Sequence, residues 1–477
     1  MATIEELELG APYFVGSNGV RRLKMFIGGS WMESKTGAYS RVYNASTGEL
    51  TTESPRCLVE EVNEAVAAAK RAFEPWSQTP VQERVQVLFR FKHLLDANLD
   101  ELATILATEN GKTHAEAVGS IQKGIEITEF ACGAPSLMMG ESLENVSRGL
   151  DVVTWRQPLG VCVGIVPFNF PAMIPMWMFP IAIACGNTFV LKAASMVPNT
   201  AARLMELLKE AGLSDGIVNM ITCGRESVKL LLEHVDVKAI SFVGSTSVGL
   251  DVYQTAAAHG KRVQALTEAK NHSLVMPDCV LPRAAQGIVN AAFGCAGERC
   301  MALPVVVAHD EIADELVKLL VGAARGIRVG NANWPECDMG PLVSAEHRAN
   351  VVRWIEKGVE EGAKLVLDGR NLTIPDHPDG FYLGPTIFDH VTEDMSVGRD
   401  EIFGPVLCIK RVRSFEEGLE VINSSRFGNG SAIYTQSGRY AREFAHRDQP
   451  GAWEMACLIF LRRPHVDQVV LVRIVLF

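Results

Sequence analysis

Positive charge is in short supply in this chain: 45 lysines and arginines face 56 aspartates and glutamates, a net charge of −11. A nucleic-acid surface needs a basic footprint against its phosphates, so that class of partner is excluded. Paired cysteines are missing too. Eleven cysteines are scattered singly, with no Cys-x-x-Cys and no Cys/His cluster. An odd, unpaired set predicts a reducing compartment, with no disulfide framework and no zinc or other metal site. The N-terminus lacks the apolar core of a secretory signal; Glu5, Glu6 and Glu8 stand there instead, which also argues against a transit peptide. Repeat arrays and low-complexity tracts are absent, so solenoids and disordered linkers are not expected.

Charge is locally absent as well. From Gln157 to Leu191 no residue is charged, and length alone would suggest a membrane span. Pro167, Pro171, Pro175 and Pro180 argue against one spanning helix, as does Asn169. A buried strand, a loop and a buried helix fit better. No membrane association is expected.

What is present is an ordinary soluble composition, 48% hydrophobic and 21% charged, in 477 residues. That length exceeds one hydrophobic core and predicts two or three lobes. Residues 61–76 and 81–109 have helical periodicity with polar outer faces; Gly111 stops the second, and another helix follows to about Phe130. From Val152 the pattern changes. Short apolar runs at 160–166, 187–192, 216–221 and 238–244 alternate with helices such as 198–212 and 225–234. Alternating βα units imply a parallel sheet covered on both faces. A second series starts near Asn271 and runs through 282–297, 303–308, 311–325 and 345–362. The fold class is therefore α/β, with two doubly wound parallel-sheet lobes.

Two segments carry candidate chemistry. FVGSTSVG (242–249) is a strand, then glycines, then a helix with Ser245 near its start. Helix N-termini offer backbone N–H groups to anions, although this spacing is neither GxGxxG nor a P-loop, and a tight turn explains it equally. Lys192, ending an apolar strand, is the better marker for a ribose or phosphate. GCAGERCMA (294–302) follows an apolar helix; its small residues let the backbone fold around Cys300, with Arg299 beside it. A neighbouring cation is expected to lower the thiol pKa and raise the thiolate fraction. Cys295, in the same segment, reads as packing.

Four segments together resemble the signatures of the aldehyde dehydrogenase superfamily: 167–192, 241–249, 296–302 and 400–406. The resemblance runs from Phe26 to His446. AKNHSLVMPD (269–278), MWMFP (176–180) and PSLMMGES (135–142) are similar to its CoA-acylating, methylmalonate-semialdehyde branch. The resemblance implies a discontinuous NAD-binding domain at 25–136 and 157–267, a bridging and oligomerisation β-hairpin at 137–156, and a catalytic domain at 268–446. It implies that Cys300 attacks the aldehyde, with the Asn169 amide and the Cys300 N–H receiving the oxyanion. Val166, Phe168, Lys192, Ser195, Met196 and Ser245 would line NAD, with Thr267 near the nicotinamide, Glu401 on its ribose and Phe403 packed beside it. Small molecules would be the partners, with a homo-oligomer as the family's assembly. The location expected is the cytoplasm, or the mitochondrial matrix as in eukaryotic relatives of this branch.

Hydrolytic relatives place a glutamate before Leu-Gly-Gly-Lys as the base for deacylating water. Here Leu266 takes that position, followed by Thr267, Glu268, Ala269 and Lys270. Losing general-base assistance costs roughly 10²–10⁴ in rate, so the thioester would survive long enough for CoA to take the acyl group. Glu268 is either a displaced base or a tolerated surface change. The branch uses two arginines for the substrate carboxylate; one corresponds to Arg299, the other to Lys123, which keeps the charge and loses the planar fork. The expected reaction is NAD-dependent oxidative decarboxylation of methylmalonate or malonate semialdehyde to propionyl-CoA or acetyl-CoA. The alternatives are a hydrolytic aldehyde dehydrogenase and an inactive nucleotide-binding scaffold.

Two departures stand out. Ser195 occupies the place of a family glutamate that would repel a 2′-phosphate, which leaves NADP open while NAD is expected. After His446 the sequence stops resembling the family, and 447–477 reads as a shifted frame or aberrant splice with an apolar, aggregation-prone end, or else as an unusual functional tail. That tail puts the expected oligomer in doubt.

Overall fold

The computed structural model describes residues 12–448, together with the backbone of the strands Ala456–Phe460 and Val469–Val475. The remaining residues of the atypical tail lie outside the described residues. Two compact units form. The first holds the described residues up to Asn44, then Glu49–Asn110 and His114–Thr267; the second holds Ala45–Gly48, Gly111–Thr113 and the described residues from Glu268 onward.

The first unit is built on a seven-stranded sheet. Its order is Arg262–Leu266, Val237–Val243, Val161–Ile165, Thr188–Lys192, Val218–Ile221, Met25–Ile27, Ser30–Met32. The first five strands are mutually parallel, and the last two add antiparallel at one edge. All five residues of Val161–Ile165 are buried, as expected where helices cover both faces of a sheet. One covering helix, Val59–Gln78, buries Val62, Ala65, Val66 and Ala69, the i, i+3, i+4, i+7 stripe of an amphipathic helix. Glu61 closes its start by accepting the Leu58 N–H at 2.8 Å.

The periodic stretch 81–109 proves to be two helices, Val81–Ala97 and Leu99–Asn110. Asn98 separates them because both its backbone N–H and its side-chain Nδ2 turn back to the Leu94 carbonyl. The charge-free stretch becomes a strand, a loop and the helix Met173–Ala184. That helix does contain two of the four prolines: Pro175 in the first turn, where no N–H is needed, and Pro180 within. It packs closely on the helix His114–Cys132 at Gly124, where a β-carbon would lie 2.2 Å from Met176 Cε. Among the described residues no helix is long and apolar enough to cross a membrane. A hairpin, Ser142–Ser147 with Leu150–Val153, has every residue exposed, Leu143, Val146, Leu150, Val152 and Val153 included.

The second unit has an eight-stranded sheet, ordered Lys364–Leu367, Thr386–Asp389, Val406–Val412, Val305–His309, His272–Val275, Gly430–Thr435, Val469–Val475, Ala456–Phe460. The five strands from Thr386–Asp389 to Gly430–Thr435 run parallel. The backbone of Val469–Val475 pairs antiparallel with Gly430–Thr435. The core lies between this sheet and the helices Leu281–Phe293, Asp310–Arg325 and Ala345–Glu360.

Candidate active site

In the first unit the chain starts the parallel sheet at Val161–Ile165 and winds outward through Thr188–Lys192 to Val218–Ile221. It then crosses back to Val237–Val243 on the other side of the starting strand. The reversal leaves a switch point between Val161–Ile165 and Val237–Val243, where doubly wound sheets bind ligands outside the carboxyl ends of their strands. Val166 and Phe168 follow the starting strand, Lys192 ends its neighbour with Ser195 and Met196 just beyond, Ser245 follows Val243, and Thr267 follows Leu266. All seven lie along one edge of one sheet.

Local contacts hold that edge. The Val166 N–H bonds the Lys192 carbonyl at 3.3 Å, and Ser54 Oγ donates to the Ser195 carbonyl at 2.6 Å. Asn110 Nδ2 donates to the Phe168 carbonyl at 3.1 Å, and Asn169, next along, is buried. Ser245 is the N-cap of the helix Thr246–Ala258, yet its exposed hydroxyl makes no capping bond. The serine and the first helical N–H groups therefore remain available to an anion. Gly249 lets this helix lie on the sheet, since a β-carbon there would sit 2.3 Å from Thr267 Cγ2. Desolvation lowers the Lys192 pKa, opposed by the neighbouring Cys223 thiol. A dinucleotide fits these residues: a cation for ribose or phosphate, an open helix N-terminus, and apolar walls.

The second unit presents the cysteine from the opposite edge of its sheet. Ala269 and Asn271 precede His272–Val275, Cys300 precedes Val305–His309, Glu401 and Phe403 precede Val406–Val412, and Asn429 precedes Gly430–Thr435. Each therefore lies where a parallel strand begins. After the helix Leu281–Phe293, three consecutive residues take left-handed backbone: Cys295 (φ 52°), Ala296 (φ 52°) and Gly297 (φ 73°). Side chains at two of them make this a strained bend, at about 1–3 kcal/mol for each. The chain then closes a turn from the Arg299 carbonyl to the Ala302 N–H at 3.1 Å, with Cys300 and Met301 at its centre. Cys300 is half-buried, whereas Cys295 is buried in the packing. The ten cysteines among the described residues are all free.

A narrow pocket, with about 10 Å³ of enclosed space, is lined by Cys300, Arg299, Ala269, Glu401, Phe403 and Gly404 among others. That volume is at the lower limit for one water molecule. Glu401 is half-buried and accepts the Ala269 N–H at 3.0 Å. Burial raises its carboxyl to about 7, with the Glu268 charge adding to the rise while the Ala269 bond and Lys270 oppose it. Phe403 has left-handed backbone (φ 59°). The Arg299 guanidinium has no hydrogen-bonded or ion-paired partner among the described residues.

Arg299 does pull the thiol pKa down as expected, but it does not set the net direction. Burial raises the Cys300 pKa, the Glu401 charge raises it further, and Arg299 with the Met301 and Cys300 N–H groups only partly offsets them. Leu266 ends its strand half-buried. Lys123 sits on the exposed face of the helix His114–Cys132, its ammonium 2.8 Å from both Glu126 oxygens. An ion pair so exposed is worth little.

Four residues of the second unit escaped the sequence reading. Asn271 and Asn429 both bond the Cys300 carbonyl. His347 Nε2 lies 2.7 Å from the Phe403 carbonyl and 3.5 Å from Glu298 Oε1, joining the cysteine loop to the Glu401 loop. Burial raises the Glu298 pKa well above the usual carboxylate range and lowers that of His347. The polar triplet Lys270-Asn271-His272, entering a buried strand, was the one signal available. Asn429-Gly430 reads locally as a turn, and nothing in its spacing points to a cysteine.

Comparison with known proteins adds three findings. The sequence profile of the aldehyde dehydrogenase family matches residues 31–459. Malonate-semialdehyde dehydrogenase 2 of Geobacillus kaustophilus is 52% identical over 436 residues, covering 91% of this chain and 90% of that protein. Among solved structures, methylmalonate-semialdehyde dehydrogenase from Oceanimonas doudoroffii superposes with a TM-score of 0.88 at 41% identity, covering 91% of this chain and 88% of that one. A Sinorhizobium meliloti 1021 protein complexed with NAD superposes with a TM-score of 0.89 at 41% identity, covering 92% and 88%.

Proposed function

The chain belongs to the aldehyde dehydrogenase family, and from that premise we propose that it oxidises malonate and methylmalonate semialdehydes with NAD and CoA. The products are acetyl-CoA or propionyl-CoA, CO₂ and NADH. The observation that carries the proposal is Cys300 at the tip of a fixed turn, in a pocket walled by an unpaired Arg299. We assign nucleotide binding to the first unit and catalysis to the second.

Cys300 loses its proton to solvent and the thiolate attacks the aldehyde carbon, forming a thiohemiacetal. The Cys300 N–H and the Asn169 amide are assigned to the oxyanion. Arg299 grips the substrate carboxylate with a planar fork, and Lys123, released from Glu126, is its proposed second cation. NAD, when bound, supplies the hydride acceptor. Val166, Phe168, Lys192, Ser195, Met196, Ser245 and Thr267 are proposed to hold it, with Glu401 and Phe403 at the nicotinamide end. Oxidation leaves a malonyl-type thioester on Cys300, whose carbonyl accepts the electron pair released as CO₂ leaves, and the resulting enolate takes a proton from water at its α-carbon. With Leu266 at the base position water is not activated, and the CoA thiol takes the acyl group.

The free cysteines agree with a reducing compartment, and we propose the cytoplasm. The exposed apolar hairpin Ser142–Ser147 and Leu150–Val153 is proposed to join copies of the chain into a homo-oligomer. The deciding experiment measures NADH formation from each semialdehyde with and without CoA, beside Cys300→Ala. CoA-dependent turnover abolished in the variant is expected. Equal rates with and without CoA would replace the proposal by hydrolysis.

A further inference from the structure

Two amide side chains converge on a single backbone carbonyl. Asn271 Nδ2 donates to the Cys300 oxygen at 2.7 Å and to the Ala302 oxygen at 2.7 Å. Asn429 Nδ2 donates to the same Cys300 oxygen at 2.7 Å. Each asparagine directly precedes a strand, and those strands, His272–Val275 and Gly430–Thr435, are parallel neighbours. Parallel pairing starts both strands at one level, so both amides arrive beneath the turn 299–302. The orientation of the Asn271 amide is fixed by its partners, since a flip would set oxygen against two carbonyl oxygens. Its Oδ1 is buried without a hydrogen bond. Leaving a buried acceptor unsatisfied is unfavourable, so what this side chain contributes is its donor bonds.

A trans peptide is planar, and a carbonyl held on one side directs the following N–H to the other. Here that N–H belongs to Met301, and it favours the ionised form of the Cys300 sulfur. We propose that Asn271 and Asn429 are positioning residues for the nucleophile: by gripping the Cys300 carbonyl they aim the Met301 N–H at the sulfur and stabilise the thiolate as it forms. A bond to an anion is stronger than one to a neutral acceptor, and bonds in series polarise one another, so the device acts most on the ionised sulfur. It also answers the electrostatics of the pocket, where burial and Glu401 oppose ionisation and Arg299 alone does not balance them. Neither asparagine needs to touch the substrate. The role rests on Cys300 being the nucleophile.

The test is the pH profile of Cys300 alkylation by iodoacetamide in the wild type, Asn271→Ala and Asn429→Ala, read by peptide mass on folded protein without cofactor. It is paired with the NADH burst at saturating malonate semialdehyde and NAD. The midpoint of alkylation is expected to rise by about half to one unit in each variant, lowering the rate at a fixed lower pH roughly three- to tenfold. The burst should slow by a similar factor while the KM for NAD stays within about twofold. Asn429 is only half-buried, so its variant decides the matter if Asn271→Ala fails to fold. An unmoved midpoint in Asn429→Ala overturns the positioning role and leaves Cys300 as nucleophile. A raised midpoint in a protein whose wild type oxidises no semialdehyde supports the positioning role and overturns the enzymatic reading instead.

Discussion

Gly297 and Gly404 meet backbone to backbone: a β-carbon on Gly297 would lie 2.1 Å from the Gly404 carbonyl oxygen. Gly297 also holds φ 73°, the third left-handed residue in a row before the nucleophile. The cysteine loop and the Glu401 loop are thus set against one another with no room for a methyl group. Gly297→Ala adds both the collision and a strained φ. The expected outcome is a loss of about 2–4 kcal/mol in stability, with kcat falling further than the loss of folded protein explains. Thermal unfolding and active-site titration, measured together, check it.

Glu401 makes a pH prediction with a definite sign. Its carboxyl titrates near 7 in the folded protein against 4.5 ordinarily, so between those values the folded state binds more protons than the unfolded one. Stability contributed by Glu401 is fully present below pH 4.5 and is lost as pH rises through about 7. Glu401→Gln should therefore match the wild type in melting temperature at pH 4 and exceed it at pH 8. The same change removes a negative charge beside Cys300, so iodoacetamide should react faster with the variant near neutral pH. A slower reaction would show that the carboxylate assists loss of the thiol proton.

Much of this architecture was legible in the sequence because local rules and tertiary structure agree. The apolar runs at 160–166, 187–192, 216–221 and 238–244 became adjacent parallel strands, since β-branched runs between helical repeats have few other ways to be buried. Cys300 and Glu401 share one pocket, although about a hundred residues separate them. Long-range charge balance was not legible. Arg299 is next to Cys300 in sequence, whereas the burial and the Glu401 charge that outweigh it exist only after folding. The same holds for Asn271 and Asn429, whose common target follows from strand register and not from motif.

Arg299 should carry more of the substrate carboxylate than Lys123 does. Its guanidinium is unpaired and lines the pocket, whereas the Lys123 ammonium is already engaged by Glu126. A charge-assisted bidentate contact is worth about 1.5–3 kcal/mol, so Arg299→Leu is expected to lower kcat/KM for malonate semialdehyde roughly 10- to 100-fold. Activity on propanal, which has no carboxylate, should fall far less. Lys123→Ala should cost less than Arg299→Leu on the same assay, and an equal loss for both substrates in Arg299→Leu would remove the carboxylate role.

The choice between CoA and water as acyl acceptor should be movable at Leu266. This residue ends the strand Arg262–Leu266 as an apolar, half-buried side chain, where hydrolytic relatives carry a glutamate. The Glu268 charge raises the Glu401 carboxyl's pKa. Leu266→Glu supplies a carboxylate at the base position, and general-base assistance typically contributes roughly 10²–10⁴ in rate. CoA-independent NADH formation should therefore rise at least tenfold on that scale, with free acid appearing at the expense of acyl-CoA. The Glu268→Gln control should leave the low CoA-independent rate unchanged. If Leu266→Glu gains no hydrolysis while its hydride burst stays normal, slow deacylation by water has another cause than the missing base.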